Sequence, residues 1–316
     1  MVSIEKHLRR FVRSFPQEMK KDFLRYRKIV HKKEYRGNDA KFDRPYWLLL
    51  PLWLIKAYCG NTKRHKNRNR FLNEVLWAQY CIFLFVRIQD DLFDGHNDFS
   101  SLLFTSDQFL FEAERVLSTY FEGTSPFWKI YRKCLQASTR SIVGLDHLQQ
   151  HLNGQHRNLL MRYAAVSAIF KIGSAAVCIK LGQMEDFSHI QKFFDEMAIA
   201  SQILDDFRDI PEDLQRNRFN YVASILLRDA DKNKKRRGEL VRRMAGKILY
   251  TASSDRVFNE IKQHINQAFS SLEPIRIPEA GELLKEYRNG LMNMQSRFHA
   301  QRMQHVLSQT RNIGPE

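Results

Sequence analysis

The sequence Gln89-Asp90-Asp91-Leu92-Phe93-Asp94 places three carboxylates within five residues, at the end of a long apolar stretch. Like charges this close repel one another and raise one another's pKa, so the cluster is costly unless a cation binds it. A helix would put Asp90 and Asp94 on one face, four residues apart, with Asp91 beside them. Such oxygen ligands suit Mg²⁺, which commonly bridges protein carboxylates to a substrate phosphate. A solvated helix end is the simpler interpretation of a single cluster.

A second cluster argues against that simpler interpretation. Asp205-Asp206-Phe207-Arg208-Asp209 repeats the same i, i+1, i+4 spacing 115 residues further along the chain (205 − 90). Two helices that each end in aspartates can face one another across a bundle cavity and hold metal ions between them. We therefore predict that six residues are catalytic metal ligands: Asp90, Asp91, Asp94, Asp205, Asp206 and Asp209.

Composition and periodicity predict an all-α protein. Helical periodicity recurs along most of the 316 residues, and no stretch alternates every two residues with hairpin turns. We find no linker or solenoid repeat, so residues 1–316 are predicted to form one large helical bundle around a central cavity. Residues 1–40 are predicted to be a helical extension packed on or near it.

The charge of +16 indicates an anionic partner: phosphate esters, an anionic membrane surface or nucleic acid. The basic runs 63–70 and 232–243 are typical of solvated loops or membrane-surface patches. The stripe Ile4, Leu8, Phe11 and Phe15 fits either packing on its own domain or a peripheral membrane contact. Four scattered cysteines, short apolar runs and an N-terminus unlike a signal peptide favour a cytoplasmic protein with reduced thiols.

Several helix boundaries follow from proline, glycine and small residues. We predict a helix that starts at Arg44-Pro45, runs to Tyr58 and is kinked at Pro51, and a helix from about Phe71 into the first cluster. One continuous helix is predicted from about Arg157 to Leu181. Its small residues either leave room for a ligand or allow close helix packing, and we favour close packing. The helix that carries the second cluster should bend after it, because Pro211 lacks a backbone donor.

The walls of the predicted cavity come from residues one and two turns before the clusters. They are apolar or aromatic: Phe83, Phe85, Val86, Ile88, Ala200 and Ile203. A charged head at the aspartates and an apolar tail along the helices describe an amphiphilic phosphate ester. When a carbon–diphosphate bond breaks, bound Mg²⁺ stabilises the leaving group, and aromatic faces stabilise the carbocation. This chemistry requires no nucleophilic side chain.

The paired DDxxD clusters resemble those of the class I isoprenoid synthases, which include trans-prenyl diphosphate synthases, squalene/phytoene synthases and class I terpene cyclases. The resemblance covers roughly residues 44–221. It implies an isoprenoid synthase-like fold, several Mg²⁺ ions that bridge a diphosphate, and a prenyl diphosphate substrate. The resemblance is compatible with a homodimer, and it gives no reason to expect nucleic acid as a partner.

Details of the resemblance point to different branches. Arg44-Pro45, Lys171 and Gln202 are similar to diphosphate-binding positions of the elongating enzymes, and Phe85 to a position that would limit chain length. The arginine pair that usually follows the first motif is absent, since residues 95–100 read Gly-His-Asn-Asp-Phe-Ser. The segment 207–218 resembles the "LRDxxEDxxRGR" motif of squalene/phytoene synthases, which adds Asp213 to the metal ligands and Arg87, Arg216 and Arg218 to the substrate-binding residues.

The cyclase branch normally carries an Asn-Ser-Glu triad, and Asn220, Ser224 and Arg228 have that spacing with arginine in the last place. We therefore expect Mg²⁺-dependent ionisation of an allylic prenyl diphosphate and carbon–carbon bond formation, either elongating or head-to-head. Terpene cyclisation is the alternative within the superfamily. A basic nucleic-acid- or membrane-binding protein, or a silent partner subunit, are alternatives of another class. Arg87 also lies four residues before Asp91, so a simple ion pair is an equal interpretation of that residue.

Overall fold

The computed structural model describes residues 2–34, 45–60, 66–93, 100–148, 156–215, 220–230 and 253–311, and these residues contain helices and no strand. The all-α prediction is confirmed. The first six described helices are α1 (Val2–Val12), α2 (Gln17–Glu34), α3 (Tyr46–Cys59), α4 (Lys66–Phe93), α5 (Ser101–Ser118) and α6 (Pro126–Leu148). The remaining ones are α7 (His156–Val166), α8 (Ile172–Leu181), α9 (Phe187–Gln215), α10 (Tyr221–Ala230), α11 (Ser253–Ser271) and α12 (Pro278–Arg311).

Two long helices, α4 and α9, carry the aspartate clusters, and one short 3₁₀ segment contacts both of them. α4 packs mainly on α5, and α9 packs mainly on α11 and α7. A 3₁₀ segment, Ser167–Lys171, lies between α7 and α8 and contacts both α4 and α9. The buried apolar side chains of the described helices form one core cluster. The fold therefore places the 3₁₀ segment beside both motif-bearing helices.

The predicted continuous helix 157–181 is wrong at its centre, because the 3₁₀ segment interrupts it. Two buried polar side chains from other helices bind the backbone there. Ser138 Oγ donates to the Val166 carbonyl oxygen (2.6 Å), and Gln79 Nε2 donates to the Ile169 carbonyl oxygen (3.4 Å). Gln79 Oε1 also accepts from the Gly173 N–H (2.7 Å). Tertiary hydrogen bonds replace part of the regular helical ladder, which sequence periodicity alone does not reveal.

The prediction of close packing at the small residues is confirmed at Gly173. A Cβ atom added there would lie 2.9 Å from Gln79 Oε1 and 3.3 Å from Pro51 Cγ. Both prolines considered above stand inside helices: α3 contains Pro51, and α9 continues through Pro211 to Gln215. A proline removes one intrahelical hydrogen bond, yet neither helix ends at its proline.

The two basic runs are only partly described. Helix α4 begins at Lys66, so residues 66–70 are helical rather than a loop, and residues 63–65 lie outside the described residues. Local partners stabilise this first turn: Arg70 pairs with Glu74 (2.9 Å), and Arg68 donates to the Cys59 carbonyl oxygen (3.5 Å). The run 232–243 lies wholly outside the described residues.

The apolar stripe of α1 packs on the bundle. Leu8 and Phe15 are buried, and Phe11 lies 5.5 Å from Phe109 and 6.0 Å from Trp77 between ring centroids. Two described stretches, Asn67–Phe93 and Leu159–Leu181, are long and apolar enough to span a membrane by length and composition. In the 18-residue apolar window of each stretch, 50% of the first and 61% of the second is buried in the bundle, as in the core helices of soluble proteins.

Candidate functional site

The first cluster lies at the carboxyl end of α4, where Asp90 is half-buried and Asp91 is only 5% exposed. Tyr26 of α2 donates its phenolic hydrogen to Asp91 Oδ2 (2.7 Å). Burial and this carboxylate raise the pKa of Tyr26 far above its ordinary value, so the phenol remains a donor. Arg87 Nε lies 3.5 Å from the same oxygen, so the ion pair expected from the spacing is present. Asp94 lies outside the described residues.

The second cluster contains a buried carboxylate that joins three helices. Both oxygens of Asp206 accept hydrogen bonds: Oδ2 from the Tyr163 hydroxyl (2.8 Å) and the Tyr221 N–H (2.7 Å), and Oδ1 from Gln202 Nε2 (3.1 Å). Burial raises the pKa of Asp206 to about 6, against the lowering effect of these donors. Asp206 therefore caps the first turn of α10 and anchors it to α7 and α9.

Asn220 completes the junction between α9 and α10. Its Nδ2 donates to the Asp206 carbonyl oxygen (2.6 Å) and to Asp213 Oδ2 (2.8 Å), while its Oδ1 accepts from the Ala223 N–H (2.8 Å). Ser224 donates to the Tyr221 carbonyl oxygen (2.7 Å). Two of the three residues that share the spacing of the cyclase triad, Asn220 and Ser224, thus bond to the backbone of the first turn of α10.

The other carboxylates of the second cluster are more accessible. Asp205 and Asp209 are exposed, and Asp213 is half-buried. Asp205 lies 3.6 Å from Arg208 Nη1, and both line a pocket of about 120 Å³ between α9, α11 and α12. Desolvation and the nearby Asp213 and Glu212 raise the pKa of Asp209. A cation would relieve this repulsion, which is the behaviour expected of a metal-binding carboxylate group.

The start of α3 connects the two motif-bearing helices. Burial raises the pKa of Tyr46, Ser201 of α9 lowers it, and the nearby charge of Asp205 raises it further. Trp47, the next residue, stacks on Phe83 of α4 (4.7 Å) and on Phe170 of the 3₁₀ segment (5.1 Å). The start of α3 thus contacts α4 through Trp47 and α9 through Tyr46, whose ring packs on Phe193 (5.7 Å) and Phe194 (5.9 Å).

The rings of Trp47, Phe83 and Phe170 are half-buried and pack against one another, and we call these three rings the aromatic wall. Phe83 stands seven residues before Asp90, about 10 Å along the helix axis. Phe85 is half-buried and packs against the core cluster, so its predicted position at the cavity floor stays a prediction. Ile88 and Ile203 are buried to 0% exposure in that core.

Lys171 ends the 3₁₀ segment beside this wall. Its ammonium donates to Asp195 Oδ1 on α9 (2.5 Å), and its side chain is only 9% exposed. Desolvation raises the pKa of Asp195, and Lys171 opposes that rise. Gln202, seven residues further along α9, binds Asp206 as described above. Arg44, Arg216 and Arg218 lie outside the described residues, so their substrate-binding role stays a prediction.

Several contacts of the site carry no signal in the sequence. Tyr26 is 65 positions away from Asp91, and Tyr163 is 43 positions away from Asp206. Asp195 is an isolated carboxylate outside any motif, and Trp47 belongs to an ordinary apolar helix. The partners of Tyr26, Tyr163, Asp195 and Trp47 lie on α4, on α9 and in the 3₁₀ segment. The tertiary fold brings each pair together.

The described residues contain no group of three or more His, Cys, Asp and Glu side chains placed to hold a metal ion. Mg²⁺ commonly binds one or two protein carboxylates and completes its coordination with substrate phosphates and water. The accessible Asp90, Asp205 and Asp209 supply oxygen ligands of that kind. The donor set therefore fits Mg²⁺ bound together with a diphosphate.

Solved structures share this arrangement of helices. The chain is similar to a polyprenyl synthase of Roseobacter denitrificans, with a TM-score of 0.58 and 13% identity over 87% of this chain and 96% of that chain. The chain has an isoprenoid synthase-like fold. It is also similar to the apo form of an Arabidopsis medium/long-chain length prenyl pyrophosphate synthase, with a TM-score of 0.51 and 13% identity over 90% of this chain and 98% of that chain. No protein-family model and no curated protein matches the sequence.

Proposed function

We propose that this protein is a prenyltransferase that ionises an allylic prenyl diphosphate in a Mg²⁺-dependent reaction and then forms a carbon–carbon bond. The observation that carries the proposal is the isoprenoid synthase-like fold with aspartates on both α4 and α9, two helices that both contact the start of α3. We place the reaction in the cytoplasm.

The head group would bind at the accessible carboxylates. Asp90 on α4 and Asp205 and Asp209 on α9 would hold the metal, with Asp94 and Asp213 as further candidates. Bound Mg²⁺ would neutralise the negative charge that develops on the leaving diphosphate. Asp91 and Asp206 are engaged by Tyr26 and by the α10 junction, and we propose that they orient the helices that carry the ligands. Direct metal binding by these two residues stays a prediction.

The apolar tail would lie along the aromatic wall. Each CH₂ buried there contributes about 0.8 kcal/mol to binding. The faces of Trp47, Phe83 and Phe170 offer negative electrostatic potential to a carbocation and keep water from it. The wall comes from three separate elements, so the tertiary fold rather than one helix would set its shape.

The reaction is tested with ten-, fifteen- and twenty-carbon allylic diphosphates and Mg²⁺, with and without a five-carbon homoallylic diphosphate. Pyrophosphate release that requires the five-carbon unit identifies elongation. Release without it identifies cyclisation or head-to-head coupling, which product mass separates. Absence of turnover under all these conditions would contradict the proposal.

Matched variants separate the site from the fold. Asp90→Asn and Asp205→Asn remove one charge each from the motifs, whereas Asp107→Asn removes a half-buried charge from α5. We expect the first two variants to lose turnover with unchanged circular dichroism, and Asp107→Asn to retain it. Equal activity of all three variants would show that the aspartate motifs are not part of the active site. Salt-dependent nucleic-acid binding without Mg²⁺-dependent turnover would favour the alternative of another class.

A further inference from the structure

Lys171 forms a buried ion pair with Asp195, a residue that belongs to none of the sequence motifs. Its side chain is 9% exposed, while that of Asp195 is 36% exposed, and the two are 2.5 Å apart. An ammonium removed from water is stable only with a nearby opposite charge. Cys134 of α6 lies close enough to both charges to respond to them. Asp195 therefore provides the compensation that allows Lys171 to be buried.

The pair lies away from the aspartate end of α9. Asp195 precedes Asp205 by ten residues of continuous helix, about 15 Å along its axis. Gln202, which binds Asp206, follows Asp195 by seven residues, so it lies on the same face of the helix about 10 Å closer to the motif. The ammonium of Lys171 is thus bound at the level of Asp195, one end of this stretch of about 15 Å, rather than at the proposed head-group site.

We propose that Asp195 is a positioning residue that holds Lys171 in a resting orientation, from which a bound diphosphate draws the ammonium toward Gln202 and the second motif. The inference rests on the proposed function, since it requires a diphosphate at the aspartates. The lysine side chain is a flexible stem that carries a point charge, so it can turn along the face of α9 without a change in the backbone. Binding must then overcome the resting ion pair.

This arrangement predicts a coupling between two residues. When only a fraction of the molecules is in the conformation that binds a ligand, the apparent affinity for that ligand is reduced by the same fraction. If the resting orientation holds about nine-tenths of the molecules, Asp195→Asn should tighten diphosphate binding about tenfold, because asparagine keeps the size of the side chain and removes the charge. Lys171→Met should weaken binding, and adding Asp195→Asn to it should then change nothing.

Calorimetric titration of inorganic pyrophosphate with Mg²⁺ into the full chain tests the coupling directly. The four proteins are wild type, Asp195→Asn, Lys171→Met and the double variant, with Asp195→Ser as a second neutral variant where Asp195→Asn does not fold. Asp195→Glu keeps the charge and should bind more like wild type than the neutral variants do. Circular dichroism melting confirms that each protein is folded.

Tighter binding by the neutral Asp195 variant that disappears in the Lys171→Met background supports the inference. Unchanged or weaker binding by that variant, or an equal gain in both backgrounds, overturns it, because a purely structural role for the pair predicts those results. Where wild type binds pyrophosphate and turns over a prenyl diphosphate, such an outcome overturns this inference alone. Absence of both binding and turnover in wild type overturns the proposed function with it.

Discussion

Asp206→Asn tests the most heavily bonded side chain of the second motif. The carboxylate is 6% exposed and accepts three hydrogen bonds, from Tyr163, Gln202 and the Tyr221 N–H. Asparagine has the same shape and retains one oxygen for the Tyr221 N–H. That oxygen can also accept from the Tyr163 hydroxyl, because both groups bond to Oδ2 in the wild type. The amide nitrogen then takes the place of Oδ1 and can donate to Gln202 Oε1 once the Gln202 amide turns over. The substitution therefore removes the buried charge while it preserves the junction between α9 and α10.

The expected magnitude follows from the pKa. Burial raises the pKa of Asp206 from 3.8 to about 6, a difference of about 2 units (6 − 3.8), which corresponds to about 3 kcal/mol. A group whose pKa is higher in the folded state binds its proton more tightly there. Its contribution to stability is complete below about pH 4 and is lost as the pH rises through about 6. Asparagine has no such dependence.

Urea unfolding at a series of pH values between 4 and 7.5 measures this difference. Other titrating groups remain in both proteins, so their effect largely cancels when the two unfolding free energies are subtracted. Wild type should lose about 2.4 kcal/mol relative to Asp206→Asn across this range, since part of the full value of about 3 kcal/mol is already lost at pH 4. Asp107→Asn serves as the control and should keep the wild-type profile.

A constant difference between wild type and Asp206→Asn from pH 4 to pH 7.5 would refute the reasoning, because it would show that Asp206 has an ordinary pKa in the folded protein. The same variant also tests the predicted metal role. Loss of turnover in a folded Asp206→Asn protein would favour a ligand, whereas retained turnover would limit Asp206 to its junction.

Three further substitutions test the packing around the site. Gly173→Ala should lower the unfolding free energy by about 1–3 kcal/mol, because its Cβ would lie 2.9 Å from Gln79 Oε1. Gly281→Ala is the control and should be neutral or stabilising, because a Cβ at Gly281 would have no atom within 4 Å. Equal effects of the two substitutions would contradict the close approach at Gly173. Tyr26→Phe removes a buried hydrogen bond to a carboxylate and should cost about 2 kcal/mol by urea unfolding, with a cost near zero arguing against that bond. Phe83→Ala opens the aromatic wall and should shift turnover toward longer prenyl diphosphates; an unchanged preference would place the tail elsewhere.

The helices that carry the motifs were predictable because their signals are local. The apolar periodicity of α4 and α9 and the aspartates at their carboxyl ends lie within single stretches of sequence. The break at Ser167–Lys171 was not predictable, because the backbone there is held by Gln79 and Ser138 from other helices. Small residues indicated close packing but not the change in helix type.

The sequence by itself determined that this protein is helical, that it presents two aspartate clusters at helix ends, and that it carries a basic charge suited to an anionic ligand. Tertiary structure decided what each carboxylate does. Asp91 meets Tyr26, Asp206 caps α10, and Asp205 and Asp209 stay exposed. Spacing along a helix fixes which side chains share a face, whereas burial and hydrogen bonding depend on the helices packed against that face. Neighbouring aspartates of one motif therefore differ in environment.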